Sequence, residues 1–310
     1  GARLLFFGGK GGAGKTTAAA ATAVRLAGAA PSRPVLLLST DPAHSLADVF
    51  GVPIGDWGAS IPGAPRNLRV RELDAPAALT ARRADLEAAL AEITASFGGQ
   101  EPDFAPAERA VGRLMDLAPP GIDELFGMLA VVRAQHKYPL IVVDTAPTGH
   151  ALRLLEMPDA AREWVQVLMR VLLKYRSLVR PGRLAAELVD LAKSIRELQD
   201  LVRDHGATRF IVVTRAAEVP RLETGRLLDR LRRLRLATPA LVVNALTLAP
   251  RTCPRCRATA AAERRELAAL ERQCRRGRRG CAIIQTPLTA PPPRGVAALD
   301  RWARTWILGD

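Results

Sequence analysis

The sequence predicts an α/β fold with a doubly wound, mostly parallel sheet, and three observations carry that prediction. Short apolar runs recur at 3–7, 35–39, 68–73, 140–144, 209–214, 240–244 and 282–285. Most are continuous rather than alternating, as strands covered by helices on both faces require. The intervals between them carry helical patterns, and that alternation is the rhythm of crossover units. Finally, a glycine-rich turn joins the first run to the first helix, and an aspartate closes the run at 140–144.

The first run, Leu4-Leu5-Phe6-Phe7, leads into Gly-Gly-Lys-Gly-Gly-Ala-Gly-Lys-Thr-Thr at 8–17. Gly9, Gly14, Lys15 and Thr16 satisfy G-x-x-x-x-G-K-[ST], the P-loop pattern. Glycines let successive backbone N–H groups converge on one anion, and the helix that follows adds its positive end. The expected phosphate cradle is Gly9, Gly11, Gly12, Ala13, Gly14, Lys15, Thr16 and Thr17. Lys15 is expected on the β- and γ-phosphates of ATP and Thr16 on Mg²⁺. The run at 35–39 ends in Thr40-Asp41-Pro42-Ala43-His44-Ser45, which puts Asp41 at a strand tip, a candidate to orient or deprotonate an attacking water. The run at 140–144 ends in Asp144, followed by Thr145-Ala146-Pro147-Thr148-Gly149-His150. An aspartate there suits the Mg²⁺ side of the site, and Gly149 can bring its N–H close to the γ-phosphate. Either aspartate can alternatively cap a helix. His44 and His150 read as loop or packing residues.

Residues 76–135 and 158–205 are largely helical in pattern without a linker composition, so one domain over 1–310 is expected, with two helical insertions. Leu184, Leu188, Leu191, Ile195, Leu198 and Val202 recur at helical spacing, and 164–173 is apolar on more than one face. Leu168, Leu172 and Leu188 are therefore candidates for an apolar groove that takes a client helix, with plain core packing as the alternative. At the other end, Leu299, Trp302, Trp306 and Ile307 have the spacing of a final core helix.

Composition narrows the class. Hydrophobic residues make up 48%, and no stretch of 18 uncharged apolar residues occurs; Arg25 and Arg170 interrupt the two best candidates. The strand-like start at residue 3 predicts no signal peptide, and hence a cytoplasmic setting. The four cysteines do not suggest a disulfide framework. Net charge is +14 with only five lysines, an arginine-rich composition. Ten Arg against three Glu fall within 251–280. That segment suits a solvated basic face or an anionic membrane surface. Nucleic acid or an acidic partner would also suit the charge, but the segment contains no aromatic residue, so base stacking is unsupported and a nucleic-acid role is not expected.

Taken together, GGKGGAGKTT, TDPAHS, PPGIDE (119–124), DTAPTGHALRLLEMP and VVN followed by CPRC resemble the arsenite-pump ATPase family, in order from residue 4 to about 289. With one P-loop only, the chain is most similar to the single-copy branch that targets tail-anchored membrane proteins. The resemblance implies a P-loop ATPase of the subclass with a second loop lysine, here Lys10, which reaches the phosphates of a partner subunit in a homodimer. A solvated loop lysine is the bland alternative. It further implies that Asp41 is the catalytic carboxylate, that Asp144 through His150 form a switch, and that Asn244 recognises adenine, although Asn244 can equally cap the next helix. Cys253 and Cys256 form C-x-x-C, half of a tetrahedral Zn²⁺ site. In the family the other half comes from the second subunit, and Cys274 with Cys281 offers a rival four-cysteine site in one chain. One departure is Pro291-Pro292-Pro293-Arg294-Gly295, where the family carries an acidic residue before Arg-Gly. The groove would also be poor in methionine, since only four Met occur, two of them at 157 and 169.

The expected function is a Mg²⁺-dependent ATPase whose nucleotide state opens or closes a helical surface for a hydrophobic membrane-protein segment. Arsenite or anion efflux is the alternative, weakened because no cysteine precedes residue 253. A positioning or partition ATPase on membrane or DNA would use the charge but not DTAPTGH or the C-x-x-C turn. A module that binds nucleotide only structurally would not need Asp41.

Overall fold

The computed structural model describes residues 2–40, 45–74, 80, 122–145, 166, 182–248, 252–276 and 281–309. Within them the elements run β1 (Leu4–Gly8), α1 (Lys15–Ala29), β2 (Val35–Ser39), α2 (Ser45–Phe50), β3 (Leu68–Glu72), α3 (Ile122–Ala134), β4 (Leu140–Asp144) and α4 (Gly182–Arg203). Then follow β5 (Thr208–Arg215), α5 (Glu218–Arg233), β6 (Ala240–Leu246), α6 (Pro254–Arg275), β7 (Ala282–Pro287), α7 (Val296–Arg304) and β8 (Ile307–Gly309). The eight strands form one sheet in the order β3-β2-β4-β1-β5-β6-β7-β8, parallel except for β8. This is the expected doubly wound α/β architecture. β2 and β4 are buried at every position, which accounts for their unbroken apolar sequence; β3, at the edge, alternates. β1 stands where the winding turns from one half of the sheet to the other, the place where such sheets bind ligands.

The chain separates into two compact units. One comprises Gly1–Leu73, Arg133–Ala151 and Val202–Asp310, and the other Asp74–Val132 and Leu152–Leu201. The first holds the whole sheet. On one face of that sheet lies α1, whose Ala18, Ala19, Ala20, Ala21, Ala23 and Ala27 are fully buried against the strands and α7. Alanine keeps helix propensity high while letting the helix axis sit close to the sheet. Asn67 closes the far end of α1: its Nδ2 donates to the carbonyls of Ala27, Ala30 and Arg33 at 3.0, 2.9 and 2.7 Å. Ala27 lies in the last turn of α1, where carbonyls run out of intrahelical donors, while Ala30 O also accepts from the Arg33 N–H at 3.0 Å. In the second unit, Leu191, Ile195 and Leu198 of the α4 stripe are buried.

The C-terminus corrects one expectation. Leu299 and Trp302 do face the core from α7, with Trp306 at 5.1 Å edge-on to Trp302. Ile307, however, belongs to β8, antiparallel to β7, and is 64% exposed. The helix ends first, at Arg304, and the chain then reverses along the sheet edge.

Candidate nucleotide site

Three glycines of the loop after β1 have left-handed or otherwise glycine-only backbones: Gly9 (φ 152), Gly12 (φ 73) and Gly14 (φ 90). A Cβ on Gly9 would collide with the carbonyl oxygen of Val213 in β5, and one on Gly14 with the side-chain amide of Asn244. The loop is thus pressed between two strand ends, and only glycine fits the gap. Lys15 opens α1 and is 6% exposed; no side chain caps the helix and no acidic residue enters its first turn. A bare helix N-terminus with a buried lysine is an anion site. Ala13 is buried, Gly11 and Gly12 are exposed, and Thr16 and Thr17 are half-buried.

Beside the loop, Asp144 closes β4 in register with Phe7 of β1 and Ser39 of β2. Its side chain is fully buried, and Ser39 Oγ donates to Oδ2 at 3.3 Å. Thr40 N–H donates to the Asp144 carbonyl at 3.0 Å, while Thr145 Oγ1 donates to Phe7 O at 2.8 Å. These bonds lace the ends of β1, β2 and β4 together under the loop. A fully buried carboxylate demands strong partners. With the Thr16 hydroxyl it supplies the oxygen donors that a hard divalent cation prefers.

Asn244 lies on the other flank. Its Nδ2 donates to Ala13 O at 2.8 Å, and Thr286 Oγ1 of β7 donates to its Oδ1 at 2.6 Å. The next residue, Ala245, has φ 59, and the β6–β7 register shifts between Val243 and Leu246. This bulge turns the Asn244 side chain across the strand end to the loop. Sequence reasoning passed over Thr286; its signal was a polar residue in an apolar run. It also passed over Glu72, which accepts from the Leu46 and Ala47 N–H groups at 2.6 and 3.3 Å. Glu72 so fixes α2, the helix that follows Asp41. Asp41 and Gly149 themselves lie outside the described residues, as do Leu168, Leu172 and the side chain of Leu188.

Lys10 is placed unlike Lys15. It is 41% exposed, and its Nζ lies 3.2 Å from Glu223 Oε1 on α5.

The cysteines correct one reading. Cys274 and Cys281 form a disulfide, with Cα atoms 5.3 Å apart. That bond removes the rival four-cysteine zinc site and links the end of α6 to the start of β7. Cys253 and Cys256 are free thiols. Cys253 is the N-cap of α6 and its Sγ accepts from the Cys256 N–H at 3.3 Å. The Cys256 thiol and backbone N–H, both donating to it, lower the Cys253 pKa; as the donor in that pair, Cys256 is raised. Among the described residues no group of three or more His, Cys, Asp or Glu converges on one point. Within the described residues the two thiols therefore have no third ligand beside them. No helix among the described residues is long and apolar enough to cross a membrane.

A glycine loop that leads into a helix, a buried lysine at its first position and a strand-end aspartate beside it define a P-loop nucleotide hydrolase. The sequence model described as anion-transporting ATPase matches residues 2–307, and the chain belongs to that family. It is an ATP hydrolase. Similar curated proteins include an ATPase GET3 of Komagataella phaffii, 28% identical over 98% of this chain and 90% of the relative. An ATPase get3 of Aspergillus niger is 29% identical over 97% and 89%, and an ATPase ASNA1 homolog of Entamoeba dispar 28% identical over 82% and 80%.

Proposed function

We propose that ATP hydrolysis by this chain drives a homodimer that captures and releases a hydrophobic, tail-anchored-type membrane-protein segment. The observation that carries the dimer is the contrast between the two loop lysines. Lys15 is withdrawn to 6% exposure against its own loop, while the Lys10 side chain stands on the surface at 41%, paired with Glu223. An exposed lysine at the rim of one phosphate site is placed to serve the phosphates of a facing copy, as an arginine finger does. Thr16 and Asp144 hold Mg²⁺, which when bound offsets charge on the β- and γ-phosphates. Asp41 orients or deprotonates the attacking water, and the Gly149 N–H meets the γ-phosphate. Asn244 spends one amide hydrogen on Ala13 and turns the other to the adenine edge. Anion efflux is less well supported, because the disulfide leaves Cys253 and Cys256 as the only free thiols of the four.

Cys253 and Cys256 share one Zn²⁺ with the same pair of the second subunit. Metal analysis checks this: Cys253→Ser with Cys256→Ser should lose bound zinc and shift the solution mass toward monomer. Zinc retained by the double variant would contradict the shared site. The client reading is tested by crosslinking a transmembrane-like peptide to single cysteines at Leu172 and Leu188. Labelling should require ATP; labelling indifferent to nucleotide, or absent with ATPase activity intact, would count against a client groove.

A further inference from the structure

A cavity of about 900 Å³ lies away from the nucleotide site. It lies at the amino ends of β5, β6 and β7, the opposite edge of the parallel sheet from the loop that follows β1. Its lining carries Arg209, Arg232, Arg235 and Arg276 together with His205, and none of the described lining residues is acidic. The floor is apolar, with Leu228 and Leu236. The volume falls within the usual range for small-molecule pockets.

The walls are braced. Arg232 ties α5 to α6, with Nη1 on Asp229 Oδ1 at 2.8 Å and Nη2 donating to Gln273 O at 2.6 Å. The Cys274–Cys281 disulfide joins the exit of α6 to the entry of β7, and both cysteines line the cavity. Backbone bonds from Phe210 N–H to Ala237 O and from Ala282 N–H to Pro239 O, each 2.8 Å, fasten the loop at the base of β6. The remaining arginines are not spent on neighbours: among the described residues, Arg209, Arg235 and Arg276 have no ion pair and stand exposed. Asp204, beside His205, is already held by the Gly206 and Ala207 N–H groups at 2.8 and 3.0 Å.

Arg235 is the least comfortable of them. The Leu236 N–H reaches Leu231 O at 2.9 Å and the Arg235 N–H reaches Arg232 O at 3.0 Å, so α5 ends in a Schellman motif. Arg235 occupies its left-handed position, φ 58, where glycine is the usual residue. A strained backbone that sets a long cation on a cavity rim points to a use for that cation.

We infer that this cavity binds a phosphate-bearing amphiphile: the guanidinium groups take the phosphate, bidentate where geometry allows, and the floor takes the apolar body. Such chemistry comes from two sources, a soluble phosphorylated molecule with an apolar group or the headgroup of a bilayer phospholipid. The test uses the full chain at fixed salt, titrated with short-chain dihexanoyl phosphatidic acid, with inorganic phosphate as comparison. The lipid should bind and should bind more tightly than phosphate alone. Arg209→Gln and Arg235→Gly should each weaken it about tenfold or more. Arg235→Gly places the favoured residue in the left-handed position, so its melting temperature should hold or rise, and ATPase activity should be unchanged. Flotation with vesicles of phosphatidylcholine containing phosphatidic acid separates the sources: co-flotation assigns the site to a bilayer headgroup, and binding without co-flotation to a diffusible ligand, both in support. Phosphate binding as tightly as the lipid, no binding of either, or binding indifferent to both substitutions in stable protein would overturn the proposal.

Discussion

Asn244 shows how one residue couples two parts of the site. Its amide bridges the P-loop carbonyl of Ala13 and the Thr286 hydroxyl, so β6, β7 and the loop share a hydrogen-bond chain. Asn244→Ala breaks both bonds and leaves two buried polar partners, Ala13 O and the Thr286 hydroxyl, without Asn244. At about 0.5–1.5 kcal/mol per neutral bond, ATP affinity should fall roughly tenfold, with a smaller change in melting temperature. Nucleotide titration of the variant checks this; unchanged affinity would leave Asn244 as scaffold only. The placement of Lys15 and Thr16 at the start of α1 and of Asp144 at the end of β4 was legible in the sequence because each follows from a local pattern, a motif or a strand end. Thr286 and Glu223 were not. Each acts on a residue far along the chain, 42 positions away for Thr286 and 213 for Glu223, and nothing in the local pattern names that partner. Cys274 and Cys281 were misjudged for a related reason. Spacing allows a bridge, but only the approach of the α6 exit to the β7 entry makes one.

At the scale of elements, the strands were the readable part. Seven of the eight were expected within about two residues at either end, most of them because burial on both faces writes an unbroken apolar run. β8 escaped notice: three residues at an exposed sheet edge carry no such run, and Ile307 continues the helical spacing of α7. α1 was legible as a helix, but not the closeness of its packing. Ala20 is fully buried between helix and sheet, with no room for growth. Ala20→Leu should therefore destabilise the protein by about 1–3 kcal/mol. For a chain of this size that is a fall of about 2–4 °C per kcal/mol in melting temperature. An unchanged melt would mean that α1 can shift off the sheet, and ATP turnover should then be tested, since Lys15 opens the same helix. The carbonyl end of α1 was illegible, because its cap is Asn67, nearly 40 residues further on.

For the molecule as a whole, the decisive question is whether one chain completes its own site. Lys10 and Glu223 meet at 3.2 Å with both side chains more than a third exposed. An ion pair in that setting contributes at most about 1 kcal/mol, because water screens it and two long side chains must be held still. A triphosphate presented by a second copy carries several charges and several acceptors, so it can draw Lys10 away from Glu223 at little cost. Turnover per chain should then rise with protein concentration as dimers form. Lys10→Ala should lower the plateau about tenfold or more while nucleotide binding to the single chain, which rests on Lys15, stays close to normal. Glu223→Gln frees Lys10 from its partner on α5 and should leave turnover equal or higher, with the half-maximal protein concentration equal or lower. Steady-state rates over a range of protein concentrations distinguish the cases. Were turnover per chain independent of concentration and untouched by Lys10→Ala, each chain would hydrolyse ATP alone, and the pair with Glu223 would be an ordinary surface salt bridge.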